Sequence, residues 1–216
     1  STLVKILTRT FKMLGNIPII YLPEPVSIWE SITDKNGKNI IEKYYENQEK
    51  YAFSFQMMAY ISRIHQIKEV LKKAYNTIVI CERSIFTDKN VFAKMLYDSN
   101  NIEEIEYQIY LKWFDEFLED IPYKGIIYIK TNPDTCLERI TKRNRQGETI
   151  TLKYLEKCNN AHNKWLDEEP ITLYLNGEKE GETSLPDNWD LCIQTFIKTN
   201  TPDEYLSFNL LDHPFF

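Results

Sequence analysis

The sequence predicts an α/β protein built on a parallel sheet with helices on both faces. Two observations predict it. Four short runs, 17–22, 76–81, 125–130 and 171–175, are almost continuously apolar, and stretches of helical periodicity separate them. Strands that read as unbroken apolar runs are buried on both faces, and parallel neighbours need connections long enough to hold a helix. At 216 residues and 43% hydrophobic content, the chain supports one sizeable core.

Taken in order, residues 3–14 put Leu3, Leu7, Phe11 and Leu14 on one stripe, as an amphipathic helix does. "IPIIYL" follows as a strand closed by "PEP". From 49 to 73 there is no Pro or Gly, which predicts a long helix. "NTIVIC" is a second strand, followed by helices over 85–98 and 103–119. "GIIYIK" is a third, leading into a helix with Asn132 as N-cap and Pro133 in its first turn. A helix over 151–166 and the strand "ITLYL" complete the alternation. Residues 176–186 read as a linker, and 187–216 as one more helix and a tail. The expected organisation is a single domain over 1–198 with a C-terminal tail over 199–216.

A net charge of −6 gives no basic footprint for nucleic acid or an anionic membrane, so neither is expected as a partner. No apolar run approaches the ~20 residues that span a bilayer. Cys81, Cys136, Cys158 and Cys192 are too far apart for a CxxC pair and read as reduced thiols, which points to a cytoplasmic setting. A targeting segment upstream of Ser1 is left open. His65, His162 and His213 are scattered and form no metal motif.

Open parallel sheets bind ligands beyond the carboxyl ends of their strands. There this chain carries Glu24 after the first strand, Glu82 and Arg83 after the second, and Lys130 at the third. Any one of these alone reads as a structural ion pair or a solvated loop; together they define a charged edge. The opening "STLVKIL" has the form that follows Gly-Lys in a GxxxxGK[ST] phosphate loop, where the hydroxyl meets Mg²⁺. The expectation is a chain that starts within such a loop, with the central strand upstream.

"PEPVSIW" (23–29), "FSFQMMAYISR" (53–63), "CERSIFTDKNVF" (81–92) and "RITKRNRQGE" (139–148), in this order, resemble the deoxynucleoside kinase family, above all its deoxycytidine and deoxyguanosine kinases. The likeness covers residues 1 to about 175. It implies a three-layer P-loop nucleotide-kinase fold, with the central P-loop strand not in this chain. The implied reaction is ATP- and Mg²⁺-dependent transfer of the γ-phosphate to the 5′-hydroxyl of a deoxynucleoside, in nucleotide salvage. A homodimer through long helices is implied too, with 85–98 and 103–119 and the aromatics Tyr107, Tyr110 and Trp113 as candidates.

By the same resemblance Glu24 is the general base, and Arg83 contacts the reacting oxygens. Ser1 and Glu82 hold Mg²⁺, and Ser1 and Thr2 serve the triphosphate. Arg143 and Arg145 close over it from a mobile lid around 139–150; Arg139 lies along the adenine, near the loop 176–178. Tyr45 and Glu148 bind the sugar 3′-hydroxyl, and Trp29 lines the sugar side.

Helix geometry places Phe55, Gln56, Ala59 and Arg63 within about 100° of one face. That face reads as a wall for a base, with Gln56 on its edge and Phe55 and Phe92 on its faces. Arg63 and Asp88 favour deoxycytidine, deoxyadenosine or deoxyguanosine over thymidine, whose carbonyl and methyl would leave Asp88 unpaired at a cost of ~1–3 kcal/mol. Two alternatives stand beside this reading: a nucleoside monophosphate kinase, which needs extra cations for its acceptor phosphate, and a non-catalytic binding subunit. The Gly-Lys pair is not in the sequence, and Tyr51 stands where many relatives have Trp.

Overall fold

The computed structural model describes residues 2–74, 76–118, 121–144, 150–178, 185–186 and 188–202. Ser1, Arg145 and Glu148, three of the expected site residues, lie outside these, as does most of the tail.

The chain begins with helix α1 (Thr2–Thr10) and a short strand β1 (Met13–Leu14) that turns back antiparallel onto β2 (Ile17–Leu22). The predicted helix over 3–14 therefore stops at Thr10. Gly15, at φ 57°, supplies the left-handed conformation that a two-residue hairpin turn needs. Phe11 and Leu14 still join Leu7 in the core, so the apolar stripe is used, in part by a hairpin.

Two short helices follow, α2 (Val26–Ser31) and α3 (Ile40–Glu46), then the long α4 (Gln48–Leu71). Strand β3 (Ile78–Cys81) pairs parallel with β2. The helix expected over 85–98 is three pieces: α5 (Ile85–Thr87), a π-helical turn (Asp88–Ala93) and α6 (Lys94–Asp98). Helix α7 (Glu104–Leu118), strand β4 (Ile126–Lys130), helices α8 (Pro133–Arg143) and α9 (Leu152–Leu166), strand β5 (Thr172–Asn176) and helix α10 (Trp189–Thr199) complete the order. β5 pairs parallel with β4, residue for residue from Ile126–Thr172 to Lys130–Asn176.

Helices cover both faces of the sheet strands. On one, Leu7 and Phe11 meet Ile193 and Ile197 of α10 over Ile19 and Leu175. On the other, Tyr60, Ile64 and Ile67 of α4 pack with Tyr110 and Phe114 of α7. The sheet is in two parts: among the described residues β3 is bonded to β2 alone and β4 to β5 alone. No helix among the described residues is long and apolar enough to cross a membrane.

Candidate active site

The site assembles where β2 and β3 end, against the middle of α4. Hydrogen bonding in the β2–β3 ladder continues one step past the strands, from Glu82 N–H to the Leu22 carbonyl at 2.7 Å, so Glu24 and the Glu82–Arg83 pair leave the sheet side by side. Arg83 sits at φ 63°, a left-handed conformation uncommon for a non-glycine residue. From there its Nε forms an ion pair with Glu24 Oε1 at 3.0 Å.

Arg63 comes from α4 and is 5% exposed. Its Nη1 pairs with Asp88 Oδ2 at 2.6 Å, and its Nη2 donates to the same Glu24 oxygen that Arg83 reaches. Asp88, Arg63, Glu24 and Arg83 are thus one chain of alternating charge. Two guanidinium groups converge on Glu24 Oε1; among the described residues Oε2 accepts no bond. Burial, above all, raises the Asp88 carboxyl to about 6, with Arg63 and Arg83 pulling it back and Glu24 adding to the rise. A buried carboxylate of this kind survives only because a cation is fixed beside it.

Helix α4 brings Gln56, Ala59 and Arg63 onto one face, as their spacing predicts. Gln56, Ala59 and Arg63 are buried. Among the described residues Gln56 Oε1 is buried with no hydrogen-bond partner, as is Arg63 Nε. Orphaned buried polar atoms cost about 1–3 kcal/mol each, so this face leaves two polar atoms for water or a ligand to satisfy. Phe55 stacks on Tyr44 at 4.6 Å and meets Trp29 edge-on at 5.7 Å. Trp29 itself is buried, donates from Nε1 to Ser62 Oγ at 2.9 Å, and lies under the Arg63 guanidinium at 5.0 Å. Tyr45 is exposed beside Tyr44, at 5.6 Å between rings. Phe92 carries the Arg83 guanidinium on its ring at 4.6 Å.

A second cluster forms at the end of β4 and β5. Asn132 was expected to cap α8 and makes no side-chain cap. Instead its own N–H donates to Glu178 Oε1 at 2.5 Å, while Thr135 Oγ1 donates to Glu178 Oε2 at 2.7 Å. A carboxylate from the loop after β5 therefore caps the helix, where it also complements the helix dipole. Arg139 reaches the Glu178 carbonyl at 3.3 Å, which puts Arg139 and the loop 176–178 together. Gly177 lets the loop approach so closely: a Cβ there would lie 2.1 Å from Thr131 Oγ1 and 3.0 Å from the Lys130 carbonyl. Arg143 is exposed at the last residue of α8, and Thr2 stands at the start of α1.

Sequence reasoning missed Tyr44, Ser62, the cap that Glu178 of the expected 176–178 loop makes on α8, and the shared pairing of Glu24. A cleft of about 380 Å³ lies elsewhere, among Asn47, Lys50, Asn100 and the carboxylates of Glu49, Glu103 and Glu106. It is open and polar and includes none of the residues above.

Fold and site together define an open-sheet α/β protein with a buried polar face on α4 beside a charged strand end. The family model described as deoxynucleoside kinase matches residues 1–198. Deoxycytidine kinase 2 of Gallus gallus is 34% identical over 180 residues, 74% of this chain and 68% of that protein. Deoxycytidine kinase of Homo sapiens is 37% identical over 166 residues, 67% of this chain and 64% of its own length. The mitochondrial deoxyguanosine kinase of Xenopus laevis is 30% identical over 198 residues, 83% of this chain and 73% of that protein. The chain belongs to the deoxynucleoside kinase family, whose named members here are phosphotransferases.

Proposed function

We propose that the protein transfers the γ-phosphate of ATP, with Mg²⁺, to the 5′-hydroxyl of deoxycytidine, deoxyadenosine or deoxyguanosine in preference to thymidine. The observation that carries this is the Asp88–Arg63–Glu24–Arg83 chain beside the orphaned Gln56 amide. Asp88 and Gln56 are a fixed acceptor and an amide for the base edge. Glu24 Oε2 is a carboxylate oxygen for the hydroxyl proton, with Oε1 held by two arginines. Arg83 can lean from Glu24 toward the charge that develops on the transferring group. Phosphoryl transfer asks for little more than positioning and charge stabilisation of this kind.

The donor set fits Mg²⁺ of the sort that is held by one or two oxygens and the substrate phosphates. Glu82 would be the carboxylate, with a hydroxyl at the start of α1, and among the described residues no three-ligand cluster makes an all-protein cage. The ion would neutralise phosphate charge when bound. Ser1, Thr2, Arg139, Arg143 and Arg145 would serve the donor, and Tyr45 with Glu148 the sugar.

A homodimer is supported by an apolar face. Ile105, Ile109, Trp113 and Phe117 recur every fourth residue on α7 and are exposed; α4, which packs against α7, exposes Ile61 and sets Lys68 over the Phe117 ring at 5.8 Å. Tyr110 is fully buried and Tyr107 half-buried, so Trp113 is the expected aromatic that reaches this face; residues 85–98 expose no large apolar side chain. Four unbridged thiols fit a reducing, cytoplasmic compartment. The test is phosphorylation of the four deoxynucleosides by the natural gene product with ATP and Mg²⁺. Thymidine as best substrate would overturn the base preference, and no phosphorylated product at all would overturn the kinase reading.

A further inference from the structure

Neither the proton transfer nor the base edge uses His162, yet its place in the fold ties it to both ends of the sheet. Arg83 is the least anchored member of the charge chain. Its side chain is 40% exposed, and among the described residues a single ion pair, through Nε to Glu24, sets its direction. A guanidinium on a long side chain has about 2 kcal/mol of rotamer entropy to lose, so one contact leaves it loosely aimed. The remaining constraint comes from Phe92, on whose ring it rests.

Phe92 is itself only half-buried, and the ring that meets it is His162 of α9, near-perpendicular at 83° with centroids 6.3 Å apart. His162 is held firmly. Its Nδ1 lies 2.7 Å from the Cys158 carbonyl one turn earlier, which places the proton on Nδ1. Its ring stacks on Tyr128 of β4 at 5.5 Å and 13°. Tyr128 stands opposite Tyr174 in the β4–β5 ladder and meets that ring edge-on at 5.9 Å. Burial foremost, with the Arg83 charge nearby, lowers the pKa of His162 against the opposing pull of the Cys158 carbonyl. The ring is therefore neutral at pH 7 and adds no charge beside Arg83.

We propose that His162 is a positioning residue for phosphoryl transfer: by backing Phe92 it holds the Arg83 guanidinium on Glu24 and braces the end of β3 against the β4–β5 part of the sheet. The inference rests on the kinase reading. It differs from a packing role in one respect, that His162 acts through Arg83.

A double-mutant cycle tests this, with His162→Ala, Arg83→Ala and the pair made in the natural gene product and His162→Phe as the conservative variant. Initial rates are measured with ATP–Mg²⁺ and deoxycytidine, deoxyadenosine or deoxyguanosine, whichever is turned over fastest. His162→Ala is expected to lower kcat at least tenfold while nucleoside KM stays within twofold. In the Arg83→Ala background the same change is expected to cost less than twofold, and His162→Phe to recover kcat to within threefold of wild type. A His162→Ala enzyme within twofold of wild type, an equal loss in both backgrounds, or no recovery with Phe each overturns the proposal. If His162→Ala does not fold, His162→Gln, which keeps a donor and loses the ring, replaces it under the same criteria. A wild type inert toward every deoxynucleoside sinks the kinase reading itself; an active wild type with an unaffected His162→Ala sinks this inference alone.

Discussion

Arg63 and Asp88 meet at 2.6 Å with 5% and 2% of their surfaces exposed, whereas Arg139 touches the Glu178 carbonyl at 3.3 Å from a helix, α8, that buries none of its residues. The proposed acceptor wall is part of the core, its ion pair shielded and its geometry set by α4 and the π-helical turn. The proposed donor end is on the surface, where exposed pairs are worth under about 1 kcal/mol and are easily remade. The difference teaches how one fold divides its labour. A base of fixed shape is best met by a rigid wall, while a charge that appears only during transfer is best met by groups that can arrive and leave.

The sharpest break in that contrast would come from Glu24→Gln. It is expected to lower kcat by ~10²–10⁴-fold, with deoxynucleoside affinity by calorimetry changed only a few-fold. Equal losses in both would make Glu24 part of the recognition wall instead. Arg143→Ala comes next, with a loss of about a hundredfold in kcat and deoxynucleoside affinity unchanged. Weakened deoxynucleoside binding in that variant would mean the two ends are not separate.

A third test uses pH. The folded Asp88 carboxyl titrates at about 6, above its ordinary 3.8, so the folded form holds the proton more tightly than the unfolded chain. Stability from this group is full below about 4 and is lost as pH rises through 6. Chemical denaturation of wild type and Asp88→Asn should show their difference falling, against wild type, by on the order of 2 kcal/mol between pH 4 and 8. A flat difference would mean that Asp88 is less desolvated than the contrast requires. The smallest effect belongs to Glu178→Ala, which removes the α8 cap. It should cost about 1 kcal/mol of stability and raise KM for the phosphate donor a few-fold without moving KM for the deoxynucleoside.

The strands were legible because the four apolar runs are too short for helices and rich in β-branched residues, and all four are present within two residues of their expected bounds. The face of α4 was legible too, since helical spacing alone brings Gln56, Ala59 and Arg63 together. Helix α3 could have been found: Asn39 and Glu42 form a capping box whose spacing is plain in the sequence. The π-helical turn could not, because periodicity over 85–98 is satisfied by one continuous helix, and only tertiary packing widens the turn at Asp88. The contacts of His162 and Glu178 escaped for a different reason. Their partners come from other elements far along the chain, Tyr128 and Phe92 for one and Asn132 and Thr135 for the other, and no local pattern records such meetings.

Gly177 bears on how separable the two ends are. With no side chain, it lets the loop after β5 lie against Thr131 and the Lys130 carbonyl, and it lies in neither the wall nor the charge chain. A single methyl there would lift the loop and take the Glu178 carboxylate off α8, leaving Gln56, Arg63 and Asp88 as they are. One carbon would thus loosen the proposed donor end from the backbone side, at the modest scale of a lost helix cap, and leave the proposed acceptor wall untouched.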